Sequence, residues 1–168
     1  MAAWPVKGIT PASTYRDAAG RTILTRWREM MSYRDGTLAG EDIEELHDMR
    51  VSSRRLRAAM DAFAGAFPDA SFRRNLKVVK RVTDTLGAAR DLDVAIEHLR
   101  ELAEAMDDAD RPGVEGLIAR YRAERGGETV HIARLFERLE RDGFGDRFER
   151  WIATHTGVTA KKLRPGPA

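Results

Sequence analysis

The sequence contains no cysteine, few aromatic residues and no long apolar run. The absence of cysteine from all 168 residues excludes disulfides and cysteine-ligated metal sites. No apolar stretch approaches the roughly 20 residues of a membrane-spanning helix. Residues 1–13 do not place a charged segment before an apolar one, as a secretory signal would. We therefore expect a cytoplasmic protein that does not associate with membranes.

The sequence also lacks the local motifs of common enzymes. It has no glycine-rich phosphate loop, no Ser or Cys nucleophile motif and no HExxH metal motif. Its histidines form no i, i+4 pair. Asp91 and Asp93 diverge by about 160° around a helix, so they clamp one ion poorly. Asp93 lies near an apolar seam and is expected to pair with an arginine of another helix. We predict no enzymatic activity, no metal and no cofactor.

Apolar residues recur at the three-and-four spacing of amphipathic helices, and no stretch alternates with period two. The pattern predicts a first helix capped by Ser13 or Thr14 that ends at Asp35-Gly36. A second helix is capped by Asp42 and stopped by Pro68. A third helix is capped by Ser71.

A fourth helix is predicted from Pro112, and a short one after Gly145. Gly87 allows a bend or weak point in the third helix, and Gly126-Gly127 can break the fourth. The predicted fold is therefore an all-α, up-down four-helix bundle with long helices and a short C-terminal helix. The bundle spans residues 13–156, between an extended lead-in (1–12) and a flexible tail (157–168).

Positive and negative charges are unevenly distributed along the chain, although the net charge is only +2. Residues 47–90 hold ten lysines and arginines against four acids, a balance of +6. Residues 91–116 hold nine acids against two bases, a balance of −7. We therefore expect a basic face and an acidic face, and a polyanionic partner for the basic one.

The positive charge is densest in HDMRVSSRRLRAAM, residues 47–60. At about 100° per residue, Arg50, Arg54 and Arg57 form one stripe beside the apolar seam, with His47 at its head. We call these three arginines the arginine strip; Arg55 stands further round the helix. Guanidinium groups about one turn (5.4 Å) apart suit a linear anion, because each can donate paired hydrogen bonds to phosphate oxygens.

The predicted third helix carries a second basic cluster, made of Arg73, Arg74, Lys77, Lys80 and Arg81. Lys77, Lys80 and Arg81 share a helical face and are expected to line a groove with the arginine strip. Arg90 points about 140° from Lys77 in a straight helix. It therefore reaches the groove only through a bend at Gly87 or from a lateral position.

A solvated surface is the ordinary explanation of a charged helix, and a lone histidine such as His47 is more often structural than functional. Two observations favour anion binding here. Few acids lie at i±4 from the arginine strip, so it pairs weakly within its own helix. The second basic cluster falls on the next helix, the expected antiparallel neighbour.

The segment LHDMRVSSRRLRAAMDAF (residues 46–63) resembles the signature of the CHAD family, the conserved histidine α-helical domain. The family pattern H-x-x-R-V-x-x-R-R-L-R is met from His47 to Arg57. The segment LKVVKRVTDTLGAARDLDVAIEHL (residues 76–99) is similar to the second family signature, a lysine-bearing helix leading to L-G-x-x-R-D-L-D-V. The resemblance implies a helical fold that binds inorganic polyphosphate through a basic surface, with possible targeting to polyphosphate granules.

The resemblance also implies the site residues. The anion contacts would be His47, Arg50, Arg54, Arg57, Lys77, Lys80, Arg81 and Arg90. Arg55 and Asp91 would orient their neighbours, with Arg73 and Arg74 in support. Typical members carry two four-helix bundles, whereas this sequence carries one copy of the signatures. We therefore expect a homodimer in which a second subunit supplies the other half of the groove.

Three other functions stay open from the sequence. A nucleic-acid-binding module is disfavoured, because no aromatic residues interleave with the arginine strip to stack on bases. A metal-dependent enzyme acting on phosphorylated substrates would use His47 and a metal held by Asp91 or Asp93. A purely structural bundle would bind no anion.

Overall fold

Helices make up most of residues 2–40 and 42–159, the part of the chain that this computed structural model describes. No strand occurs in those ranges, so the predicted all-α bundle is confirmed. None of their helices has the length and apolar composition needed to cross a bilayer. The helices are α1 (Tyr15–Ser32), α2 (Arg34–Ala39), α3 (Ile43–Ala62), α4 (Asp69–Ala105), α5 (Arg111–Arg141) and α6 (Phe144–Thr156).

The bundle is built from α1, α3, α4 and α5, which contact one another in that order. The short helix α6 contacts both α1 and α5 and so closes the bundle. Each helix turns its apolar seam inward, and burying one such side chain is worth about 1.5–3 kcal/mol. Fully buried members of this core include Ile23, Leu24, Met49, Leu56, Leu86, Phe148 and Ile152.

Two of the predicted helix starts are confirmed by capping hydrogen bonds. Thr14 Oγ1 accepts a hydrogen bond from the amide of Asp17 at 3.1 Å at the start of α1. Asp42 accepts one from the amide of Glu44 at 2.9 Å at the start of α3. Each bond satisfies an amide that the first helical turn leaves without a carbonyl partner.

The predicted Ser71 cap is wrong, because α4 already begins at Asp69. Pro68 precedes the helix with its φ at −65°, the value that proline's ring fixes and that a helix start requires. Ser71 instead lies within the first turn, where its hydroxyl donates to the Pro68 carbonyl at 3.0 Å. The same hydroxyl accepts a hydrogen bond from Trp151 Nε1 at 3.1 Å, which ties α6 to α4.

The glycines interrupt the helices less than predicted. Asp35 and Gly36 do not end a helix but lie within α2, which ends at Ala39 and is followed by the cap residue Gly40 with φ +69°. The helix α4 continues through Gly87, and α5 continues through Gly126-Gly127. A helical glycine costs only about 1 kcal/mol relative to alanine, which the packing of a long helix can offset.

The helices α4 and α5 extend beyond the bundle as a hairpin. The 37 residues of α4 span about 55 Å, whereas the 20 residues of α3 span about 30 Å. Ile96, Ala103 and Ile118 are buried in the hairpin but lie outside the main core. Arg125 Nε donates to Asp93 Oδ1 at 2.8 Å across it, which confirms the expected pairing of Asp93. The acidic residues 91–116 occupy this hairpin.

Residues near both ends of the described chain pack on the bundle. The amide of Trp4, within the predicted lead-in, donates to Glu29 at 2.9 Å. Val158, within the predicted tail, is buried in the core beside Gly20. A Cβ added at Gly20 would come within 2.9 Å of Val158 Cβ, so the glycine permits this close approach. The rest of the predicted tail, 160–168, lies outside the described residues.

Candidate anion-binding site

An open groove of about 630 Å³ lies between α3 and α4. The two helices are joined by a short turn, so they run antiparallel and present facing rows at three-and-four spacing. We call this the α3–α4 groove. Its lining consists of Arg50, Arg54, Arg57, Ala58 and Asp61 from α3, and Thr83, Asp84, Gly87, Ala88 and Asp91 from α4.

The structure brings the arginine strip together in this groove, as its helical spacing predicted. Arg54 is exposed, and Arg50 and Arg57 are half-buried along the edge of the groove. The three side chains therefore form an ordered row of positive groups on one rigid helix.

Arg50 reaches across the α3–α4 groove to α4. Its Nη2 lies 3.6 Å from Asp91 Oδ1, and the Asp91 side chain is 75% exposed. A Cβ at Gly87 would lie 3.8 Å from Arg50 Nε, so the arginine passes over the glycine. An ion pair this exposed is worth less than about 1 kcal/mol. Asp91 therefore restrains Arg50 only weakly.

Acidic side chains moderate the charge of the α3–α4 groove. Within the described lining, three aspartates face the three arginines of the strip. Lys77 and Lys80, which were expected to line this groove, are not in its lining; they lie about 20° and 40° from Asp84 around α4, toward its N-terminus. Sequence reasoning counted these acids but did not foresee that they converge on the strip.

Arg81 does not line the α3–α4 groove. One residue after Lys80, it is rotated by about 100° and faces α5 instead, so the expectation that it would line a groove with the strip is wrong. It borders a second open groove, which we call the α4–α5 groove. The lining of that groove consists of Arg81, Thr85, Glu128, His131, Arg134, Leu135 and Arg138.

The arginines that α5 contributes to the second groove, Arg134 and Arg138, were missed from the sequence. The available signal was their i, i+4 spacing, which places both side chains on one face. Acidic residues surround them in the sequence, so local charge counting hid that shared face.

Two other predicted contacts lie beside the α3–α4 groove rather than in its lining. His47 is half-buried one turn before Arg50, and its Nδ1 is buried without a hydrogen-bond partner among the described residues. Arg90 is half-buried on α4 and lines neither groove. Because α4 does not break at Gly87, Arg90 keeps the lateral direction that helical geometry gives it.

The supporting arginines of the second basic cluster lie on the surface. Arg73 pairs with Asp69 one turn earlier at 3.6 Å, with both side chains well exposed. Arg74 is exposed as well. Both can raise the positive potential near the N-terminal end of α4.

Arg55 has a different role from the arginine strip, although it lies next to Arg54. Its Nη1 donates at 3.2 Å to Glu29 of α1, whose side chain is fully buried. Arg26 also donates to Glu29, as does the Trp4 amide. We call these four residues the Glu29 anchor. No sequence signal marked Glu29, because a lone acid beside an apolar seam looks the same whether or not it is buried.

The Glu29 anchor also affects Tyr33, the residue that follows α1. Burial raises the pKa of the Tyr33 phenol above its usual value of about 10, and the carboxylates of Asp48, Glu29 and Glu45 raise it further. The positive charge of Arg55 acts in the opposite direction. The protonated phenol is therefore the favoured form beside this acidic cluster.

No group of three histidine or carboxylate side chains within residues 2–40 and 42–159 is arranged to hold a metal ion. Asp91 faces Arg50, whereas Asp93 faces Arg125 on the hairpin. The two carboxylates therefore diverge, as their spacing predicted.

Comparison with known proteins identifies the family. The CHAD domain family matches residues 21–166, nearly the whole chain. The chain therefore belongs to the CHAD family, as its two signature segments indicated. No curated protein and no solved structure matches it.

Proposed function

We propose that this member of the CHAD family binds inorganic polyphosphate along the α3–α4 groove, without catalysing a reaction. The family is linked to polyphosphate binding. The observation that carries the proposal is the alignment of Arg50, Arg54 and Arg57 along one open groove. Each guanidinium presents several hydrogen-bond donors to phosphate oxygens.

The acids of the α3–α4 groove favour a long anion over a single phosphate. One phosphate would meet one guanidinium and a neighbouring carboxylate, so its net attraction would be small. A chain of phosphates contacts several arginines at once, and each later contact benefits from the first. Lys77 and Lys80 extend the positive side of the groove along α4. Binding should weaken steeply as salt is added, since counterions are released from the polyanion.

The test is a titration of long-chain polyphosphate against the variant R50A/R54A/R57A. The matched control is R120A/R147A/R150A, which removes three exposed arginines outside both grooves. The strip variant should lose affinity about tenfold or more, whereas the control should lose much less. Helical circular dichroism should be unchanged in both. Equal affinity of the strip variant and the wild type would overturn the proposal.

Two alternative functions are tested in the same system. A nucleic-acid-binding module would let single-stranded RNA displace polyphosphate at equal phosphate concentration. A metal-dependent enzyme would release phosphate from polyphosphate or triphosphate with added Mg²⁺ or Mn²⁺. We expect RNA to displace polyphosphate only weakly, and we expect no phosphate to be released.

We propose further that two copies associate so that their α3–α4 grooves form one longer basic surface. The family resemblance supports this, because typical members carry two four-helix bundles whereas this sequence carries one copy of the two signature segments. Leu102 on the hairpin is 50% exposed and offers an apolar contact for a second copy. Light scattering at micromolar concentration should give the dimer mass. A monomer would exclude this dimer but leave the groove proposal intact.

The proposed location is the cytoplasm, on polyphosphate granules. A fluorescent fusion should concentrate on granules stained for polyphosphate, and the R50A/R54A/R57A fusion should be diffuse. A wild-type fusion that stays diffuse in cells rich in granules would contradict the proposed targeting.

A further inference from the structure

We propose that the α4–α5 groove is a second anion-binding site, which takes a compact phosphate group such as pyrophosphate. It lies on the other side of α4 from the arginine strip, and its lining shares no residue with the α3–α4 groove. The proposal concerns a separate site and does not depend on what the α3–α4 groove binds.

The charge of the α4–α5 groove is the first observation. Its lining holds Arg81, Arg134 and Arg138, and among the described lining residues the one carboxylate is Glu128. That carboxylate is engaged by His131, whose Nδ1 lies 3.3 Å from it. The α3–α4 groove, in contrast, opposes its three arginines with three aspartates. The α4–α5 groove is thus smaller but more strongly positive.

The availability of these arginines is the second observation. No described carboxylate lies within ion-pair distance of Arg81, Arg134 or Arg138, and all three side chains are exposed. In the α3–α4 groove, by comparison, Arg50 has an acidic partner in Asp91. An incoming anion therefore does not have to displace an existing ion pair from the α4–α5 groove.

The geometry of the α4–α5 groove suits a compact anion. Arg134 and Arg138 lie one turn apart on α5, while Arg81 reaches in from α4, so guanidinium groups approach from two helices. Thr85, one turn after Arg81, adds a hydroxyl donor. The groove measures about 320 Å³, roughly half of the 630 Å³ of the α3–α4 groove. Guanidinium groups on opposite walls can each form paired hydrogen bonds to one diphosphate.

The α4–α5 groove is also held rigidly. Leu135 in its lining is buried, and Val82 and Leu86 are buried on the α4 side. The arginines thus project from the packed bundle rather than from a loop. A site on rigid helices requires less ordering when it binds.

The test is calorimetric titration of the protein with pyrophosphate. Inorganic phosphate and ATP serve as further ligands, to distinguish binding of a free phosphate group from binding of one attached to a nucleoside. The variants are R134A/R138A, the strip variant R50A/R54A/R57A and the control R147A/R150A on α6. All the replaced side chains of R134A/R138A and of the control are exposed, so both should fold normally. Amide chemical shifts of residues 131–138 give a second, local measurement.

R134A/R138A should bind pyrophosphate at least about fivefold more weakly than the control, a difference of about 1 kcal/mol. The strip variant should bind pyrophosphate in the α4–α5 groove as tightly as the wild type does. In the wild type, the amide chemical shifts of residues 131–138 should change when pyrophosphate is added. Affinity of R134A/R138A equal to that of the control, or shifts confined to α3, would overturn the second site. A strip variant that still binds polyphosphate as the wild type does would instead refute the proposed function and leave this site standing.

Discussion

The arginine strip and the Glu29 anchor lie on two sides of the same helix, α3, and use the same type of side chain. On the strip, Arg50 pairs with Asp91 at 3.6 Å, and that carboxylate is 75% exposed. In the anchor, Arg55 pairs with the fully buried Glu29 at 3.2 Å. Water competes with the first pair, so it is worth under about 1 kcal/mol. Breaking a buried pair costs about 3–5 kcal/mol, because a charge is left without a partner.

This difference shows that burial of the carboxylate determines the role of each arginine. Arg54 is exposed along the α3–α4 groove, whereas Arg55, the next residue, contacts the buried Glu29 of α1. The two roles alternate along HDMRVSSRRLRAAM because successive residues of a helix point about 100° apart. Matched substitutions at neighbouring positions can therefore separate stability from binding.

The largest expected effect is the loss of the anchor in Arg55→Ala. We expect the free energy of unfolding to fall by about 1–3 kcal/mol, less than for an isolated buried pair, because Glu29 keeps Arg26 and the Trp4 amide as partners. Arg54→Ala, which removes the same charge one residue away, should change it by less than about 0.5 kcal/mol. Urea denaturation measures both. Equal stability of the two variants would contradict the division of α3 into two surfaces.

The second prediction compares the same two variants by their affinity for polyphosphate, where the larger effect is expected for Arg54→Ala. Arg54→Ala should weaken polyphosphate binding by about three- to tenfold, because one charge-assisted contact in the row is lost. Arg55→Ala should bind within about twofold of the wild type, measured in the cold, where the variant is still folded. Fluorescence anisotropy with labelled polyphosphate gives both values. A larger loss of affinity in Arg55→Ala than in Arg54→Ala would mean that the ligand binds on the Glu29 side of α3, contrary to the proposal.

The third prediction concerns Asp91, the exposed carboxylate that pairs with Arg50 of the arginine strip. Asp91→Asn keeps the side-chain shape but removes the charge that competes with an anion for Arg50. Polyphosphate affinity should rise by about two- to threefold, with stability changed by less than about 1 kcal/mol. Glu101→Gln on the hairpin removes the same charge away from the groove and controls for net charge. A loss of affinity in Asp91→Asn would mean that orienting Arg50 matters more than repelling the anion.

The sequence predicted most of the fold because periodicity is a local property. The seams, the Thr14 and Asp42 caps and the alignment of the strip all follow from spacing along one helix. The errors came where the outcome depends on a neighbouring helix. Arg81 lines the α4–α5 groove rather than the α3–α4 groove, and only the positions of α3 and α5 show which groove it faces.

The burial of Glu29 is the clearest case that sequence could not reveal. An acid in α1 gives no local sign that an arginine of α3 and an amide of residue 4 will converge on it. The helix α2 was missed for a related reason. Asp35-Gly36 is a common helix-ending pair, but here tertiary packing places it within a short helix. Packing thus overrode the local preference of these residues.

The smallest predicted effect tests the anchor side of α3 through pH. Burial, with Asp48 and Glu29, raises the pKa of Tyr33, so the folded protein retains the phenol proton at pH values where the unfolded chain has lost it. The folded state then binds more protons, and stability falls as the pH rises above about 10. Tyr33→Phe should remove the part of this loss of stability that the phenol causes, which is below about 1 kcal/mol. Near pH 8 the variant and the wild type should show the same slope of stability against pH. Urea midpoints between pH 8 and pH 11 measure the two slopes, and parallel slopes throughout would show that the acidic cluster beside α3 does not act on Tyr33.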